Sequence, residues 1–292
     1  MVMVELGLLL ALGCALLSNV ALLCKYRGAV RAPDVSFRSP LRSAAALFRS
    51  KWWTIGFAVA FVAWALHVAA LAMAPLSMVQ SVIAGGLALL AIPARIWFGI
   101  NLGRRELAGL GLSAAGLAFL ALTATEGHSA NSTYSGSTMA AFEGGAIVCG
   151  AALLLSATRG GGHRHGGLLL GAAAGLLIGV SDVAIKALAE VVPAAPGALL
   201  SPWTLVAAVA AIGAFYALAR SLQLGDPVEV IVISSVAANA AAIVGGVLVF
   251  GDSMGSDALA VAARSAAFVA VIAAAALIPA APQHARAQPE PA

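Results

Sequence analysis

Nine stretches of this chain are apolar almost throughout: about 2–24, 52–73, 76–98, 106–124, 139–157, 166–189, 202–220, 227–249 and 258–279. A helix needs about 20 apolar residues to cross the hydrocarbon core of a bilayer. Backbone in lipid must satisfy its own hydrogen bonds, which leaves helices and closed barrels as spanning structures. Barrel strands alternate apolar and polar residues, whereas these runs are continuous. Only 10% of the residues are charged, against about 25% in an ordinary soluble domain. The expected fold is an all-α integral membrane protein with about nine transmembrane helices.

The charges sort by side. The N-terminus and the loops around 74–75, 125–138, 190–201 and 250–257 contain no Lys or Arg. The other set of loops holds Lys25, Arg27, Arg31, Arg38, Arg42, Arg49 and Lys51, then Arg95, Arg104 and Arg105, then Arg159 and Arg164, then Arg220, then Arg286. Only Lys186 and Arg264 fall elsewhere, both inside apolar spans. The positive-inside rule then puts the N-terminus outside and the C-terminus in the cytoplasm of a cell-membrane protein. The formal charge of +4 follows from that topology and carries no signal for nucleic acid.

The run Leu6–Leu23 has no Lys or Arg before it and basic residues after it, so it reads as a retained first helix. Segment 38–51 mixes Arg38, Arg42 and Arg49 with Leu41, Leu47 and Phe48. It reads either as a short amphipathic helix on the inner surface or as a plain basic loop. Gly160 to Gly167, with His163 and His165, reads as a flexible linker, and residues 280–292 as a disordered cytoplasmic tail. Asn131-Ser132-Thr133 matches a glycosylation acceptor. Cys14, Cys24 and Cys149 lie in apolar runs without metal-ligand spacing, and no cofactor is expected.

The two halves carry matching marks. Gly7-Leu8-Leu9-Leu10 precedes Lys25 by one helix, and Gly167-Leu168-Leu169-Leu170 precedes Lys186 by one helix. Trp52-Trp53 opens the second span and Trp203 the seventh. Ala74-Pro75-Leu76 starts the third and Asp226-Pro227-Val228 the eighth. The pattern gives residues 1–124 as a first repeat of four helices, 139–157 as a linking helix, and 166–279 as a second repeat. The linking helix makes the second repeat start on the opposite side, so the repeats are inverted. That arrangement is associated with transporters whose substrate site lies at the repeat interface near mid-membrane.

The chain resembles the drug/metabolite transporter superfamily, and within it NIPA-type magnesium transporters and EamA-like bacterial relatives. The residues that carry the likeness are Lys25, Trp52-Trp53, Ala72-Met73-Ala74-Pro75-Leu76, Ala219-Arg220-Ser221-Leu222 and Phe250-Gly251-Asp252. Asp252 stands where the superfamily has an acidic residue closing the helix, and Gly99-Ile100-Asn101 lacks one at the matching place. The resemblance implies a transporter fold, and it brings magnesium or another divalent cation in as an alternative cargo.

Ionisable groups at membrane depth are expensive and are functional candidates by default. Asp182 and Lys186 are four residues apart on one helix face. Two readings stand: a structural ion pair with Lys186 snorkelling outward, or a carboxylate that binds a cation or proton during transport. Glu143 and Arg264 read as members of the same cluster or as simple interfacial charges, and Glu229 is a candidate for the cytoplasmic mouth. His67 reads as a proton carrier or as a hydrogen-bonded packing residue. Asn19, Gln80, Ser81, Ser181, Ser234, Ser235 and Asn239 complete the candidate lining, because buried polar groups need partners. Pro93 reads as a hinge or a static bend.

No phosphate-binding loop, HExxH motif or nucleophile–base pair is present, so no enzymatic activity is expected. The leading expectation is a secondary transporter for a small metabolite, drug-like molecule or ion. Its expected partners are that solute and the lipid bilayer, and a homodimer is compatible with the sequence. A structural or lipid-handling membrane protein is the further alternative.

Overall fold

The computed structural model describes residues 2–86, 134–159, 163–193, 195–252 and 257–276, with isolated positions between 89 and 119. Pro93, Gly99-Ile100-Asn101, the glycosylation triplet, most of segment 106–124 and the tail lie outside the described residues. Every regular element among the described residues is helical: α1 (Val2–Arg31), α2 (Pro40–Phe48), α3 (Lys51–Met73), α4 (Leu76–Gly85), α5 (Gly136–Arg159), α6 (His163–Val191), α7 (Pro202–Leu224), α8 (Pro227–Phe250) and α9 (Ala258–Ala276). A short 3-10 helix, Pro196–Leu200, precedes α7. Six of these helices are long and apolar enough to cross a membrane: α1, α3, α5, α6, α7 and α8. The architecture is that of an all-α, multi-pass membrane protein.

Local chemistry sets the helix ends. Pro75 forces Ala74 into extended backbone (φ −144°, ψ 157°), which stops α3 and lets α4 start. Asp226 caps α8 by accepting from the Val228 N–H, with Pro227 in the first turn. Gly251 ends α8 in the left-handed region at φ 70°, where a side chain would be strained.

Two boundaries differ from the sequence reading. α1 does not stop near residue 24 but continues to Arg31. The charged extension is held by α3: Arg27 lies 4.6 Å from the Trp52 ring, and Gly28 sits against the Trp53 backbone. α6 begins at His163, so both histidines of the expected glycine-rich linker belong to its first turn.

The basic segment after α1 is folded rather than loose. α2 occupies most of segment 38–51, and Phe48 packs edge-on against Phe57 of α3 and stacks on Phe215 of α7. Gln223 of α7 accepts from the Val35 N–H at 2.9 Å and donates to the carbonyls of Ala29 and Pro33. Arg220 pairs with Asp34 at 2.9 Å.

The helices associate through small residues, as expected where lipid supplies no hydrophobic drive between them. α1 packs chiefly on α3, α6 on α7 and α8, and α4 on α8. Gly171, Gly175 and Gly179 form one stripe of α6 laid against α8, and a Cβ at Gly175 would strike the carbonyl oxygen of Ser234. α6 and α8 are the innermost spans, with 67% of each apolar window buried against at most 44% elsewhere. Leu9, Leu16, Phe61, Val209 and Leu248 face outward, as a lipid-facing surface requires.

The glycine stripe makes a direct prediction. Gly175→Ala adds a methyl where backbone already sits, and overpacking of this kind costs about 1–3 kcal/mol. The melting temperature of the detergent-solubilised protein falls. Gly144→Ala, on an open face of α5 with nothing within 4 Å, leaves it unchanged or raises it. Equal melting temperatures for the two variants would contradict the close approach of α6 and α8.

Candidate solute-binding cavity

A cavity of about 230 Å³ lies within the bundle, walled by α1, α3, α4, α6, α7 and α8. On α1 the wall residues are Cys14, Ser18, Asn19, Leu22 and Lys25, whose spacing keeps them on one helical face. α3 contributes Trp64 and His67, α4 Gln80, α6 Asp182, and α8 Ser234, Ser235 and Asn239.

One end of the cavity is built around Asp182. Its Oδ2 accepts from Gln80 Nε2 at 3.0 Å, and its Oδ1 lies 3.2 Å from His67 Nε2. Three helices thus meet at one carboxylate, and all three side chains are buried. Hydrogen bonds to a charged group contribute about 1.5–3 kcal/mol each, so both donors offset much of the cost of the buried acid.

The amides along the wall are pinned through their nitrogens. Asn19 Nδ2 donates to the Gly86 carbonyl at 2.7 Å, just past the α-helical turns of α4. Asn239 Nδ2 donates to the Ser235 carbonyl at 2.7 Å. Carbonyls and carboxylates only accept, so these partners fix which amide atom is nitrogen. The amide oxygens of Asn19, Gln80 and Asn239 have no donor among the described residues.

The other end of the cavity is marked by Lys25. Its ammonium lies 5.8 Å from the centre of the Phe57 ring. No carboxylate among the described residues forms an ion pair with it.

Of the sequence-derived candidates, Asn19, His67, Gln80, Asp182, Asn239, Ser234 and Ser235 share this one cavity. Lys186 does not line it. The expected ion pair between Lys186 and Asp182 is replaced: Lys186 Nζ donates to the carbonyls of Leu71 at 2.8 Å and Ala74 at 3.4 Å. These are acceptors at the C-terminal end of α3, where a helix leaves carbonyls unsatisfied and favours a cation. That competition lies in another helix, where i, i+4 spacing cannot see it. Glu143, Glu229, Arg264 and Ser181 are buried but lie outside the cavity wall. Neither carboxylate oxygen of Glu143 is hydrogen-bonded, so it does not join Asp182 in a cluster. Glu229 occupies the first turn of α8, where the helix dipole favours an acid.

Sequence reasoning missed Lys25 as a site residue, because it ended α1 there and counted Lys25 with the basic loop. The signal available was its spacing on α1, on the face it shares with Cys14, Ser18 and Leu22.

No protein-family model, curated protein or solved structure gives a significant match to the chain.

The Lys186 contacts are testable by stability. Lys186→Met removes the donor from the Leu71 and Ala74 carbonyls, a loss of about 1.5–3 kcal/mol by the usual contribution of a charged donor. Its melting temperature falls clearly below that of Lys51→Met, an exposed lysine at the start of α3. Equal melting temperatures would show that the capping contacts contribute nothing.

Proposed function

We propose that this chain is a secondary transporter that moves a small polar metabolite or ion across the membrane by alternating access. The observation that carries the reading is the cavity: a chamber inside an apolar bundle, walled by helices from both halves of the chain, with Asp182, Lys25 and three amides in its wall. A static membrane scaffold has no use for a carboxylate, a lysine and three amides around an open space. Each such group is expensive at membrane depth.

The helix packing supports two inverted four-helix repeats within nine spans. α1 packs on α3 as α6 packs on α7, and α4 meets its repeat equivalent α8. With the N-terminus outside, Lys25 stands toward the cytoplasmic side of the cavity and Asp182 toward the outer side. The resemblance to drug/metabolite transporters fits the same layout.

Size narrows the cargo. Drug-sized ligands occupy pockets of about 300–1,000 Å³. A cavity of about 230 Å³ suits a smaller solute. A divalent cation is less well served, because hard cations take several oxygen ligands, usually with carboxylates. Asp182 is the one carboxylate in the described wall, and Lys25 shares the chamber with it.

The geometry also supplies a coupling device. A solute that bonds to the remaining lone pairs of Asp182 shares the carboxylate with His67 on α3 and Gln80 on α4. Sharing weakens the bonds between the two halves, which favours their relative movement.

Purified protein in proteoliposomes tests the reading through counterflow across a panel of small polar solutes. At least one solute exchanges. Asp182→Asn lowers its exchange about tenfold or more, equivalent to about 1.4 kcal/mol of lost interaction. A folded protein that exchanges nothing, or exchange untouched by Asp182→Asn, would contradict it.

A further inference from the structure

The two ends of the cavity carry opposite chemistry, and their separation selects a class of solute. At one end Asp182 uses one bond on each oxygen. An ionised carboxylate accepts about four, so it keeps capacity for a donor from the solute. The oxygens of Asn19, Gln80 and Asn239 add further acceptors along the same wall. That end asks for a donor-rich group. At the other end Lys25 is an ammonium without an ion-pair partner among the described residues. That end asks for an anion.

The rise of α3 sets the scale of the separation between the ends. Lys25 Nζ stands over Phe57, and His67 touches Asp182. Ten residues of helix separate Phe57 from His67, about 15 Å at 1.5 Å per residue. Subtracting a charge-assisted contact of about 2.8 Å at each end leaves about 9 Å between the charged groups of a solute that touches both. An extended chain advances about 3.4 Å for every three bonds, so about 9 Å corresponds to roughly eight bonds. A cavity of about 230 Å³, below the range of drug-sized pockets, favours a slender solute.

Resting on the transporter reading, we propose that the cargo is a linear zwitterion of the ω-amino-acid type. Its ammonium is taken by Asp182 and the amide oxygens, and its carboxylate by Lys25. α-Amino acids, whose two charges are adjacent, reach only one end and bind poorly.

The test is ligand stabilisation of the detergent-solubilised full chain, read as the shift in melting temperature against concentration. The probes are linear ω-amino acids from glycine to aminooctanoate, with diamines and dicarboxylates matched in length. The longer members, near aminohexanoate to aminooctanoate, bind at least tenfold tighter than glycine. They also bind tighter than the matched diamine, which repels Lys25, and the matched dicarboxylate, which repels Asp182. Lys25→Gln removes the preference over the diamine, and Lys25→Arg retains it.

The proposal is overturned if no ω-amino acid binds, if glycine or a dicarboxylate binds best, or if Lys25→Gln leaves the preference intact. The length series uses the unaltered protein, so the test survives a variant that fails to fold. Counterflow separates this proposal from the transporter reading. Selective binding without exchange sustains the cargo-site assignment and overturns transport. Exchange of an uncharged or purely cationic solute, unaffected by Lys25→Gln, sustains transport and overturns this assignment.

Discussion

A carboxylate inside an apolar helix bundle must find its hydrogen bonds within the protein, and Asp182 finds them on two other helices. Placing an acid at the centre of a membrane helix costs about 2.5–3.5 kcal/mol on insertion scales. Two charge-assisted bonds, from Gln80 and His67, contribute on the order of that cost. The acid is therefore tolerable only while α3 and α4 stay in register with α6. Lys186 reinforces the register one turn further along, by donating to the end of α3. The interface between the two halves of the chain is thus polar where Asp182 meets Gln80 and His67.

Around that centre the packing is close and apolar. Glycines on α6 bring its backbone against α8, and Gly28 and Gly56 do the same for α1 and α3. Space remains where small residues give way to side chains anchored to backbone carbonyls, as at Asn19 and Asn239. The same close packing encloses a chamber that Asp182, Asn19 and Asn239 line. Arg220 and Gln223 tie the segment after α1 to α7 at the Lys25 end.

Much of the fold was legible because lipid imposes strong rules on sequence. Apolar length located the six membrane-length helices among the described residues, and Pro75, Pro227 and Gly251 marked helix ends through their own backbone chemistry. The expense of polar groups in lipid singled out Asn19, His67, Gln80, Asp182 and Asn239, which share one cavity. What stayed hidden depended on contacts between helices distant in sequence. The end of α1 was misjudged because charge ended the apolar run, while α3 held the helix intact through Trp52 and Trp53. The contacts of Lys186 were misjudged because an acid on its own helix competes with carbonyls at the end of α3. Glu143 and Arg264 are buried, yet depth alone does not say which side of a helix faces a cavity.

The claim at the centre of this account is that one cavity is presented to both sides of the membrane in turn. Ser18 lines it on α1 and is partly accessible. A single cysteine introduced as Ser18→Cys, with Cys14, Cys24 and Cys149 replaced, can be challenged with a membrane-impermeant thiol reagent from each face of sealed vesicles. Alternating access predicts labelling from both faces, with transported solute protecting the site on either side. Labelling from one face only, under every condition of solute and gradient, would contradict it.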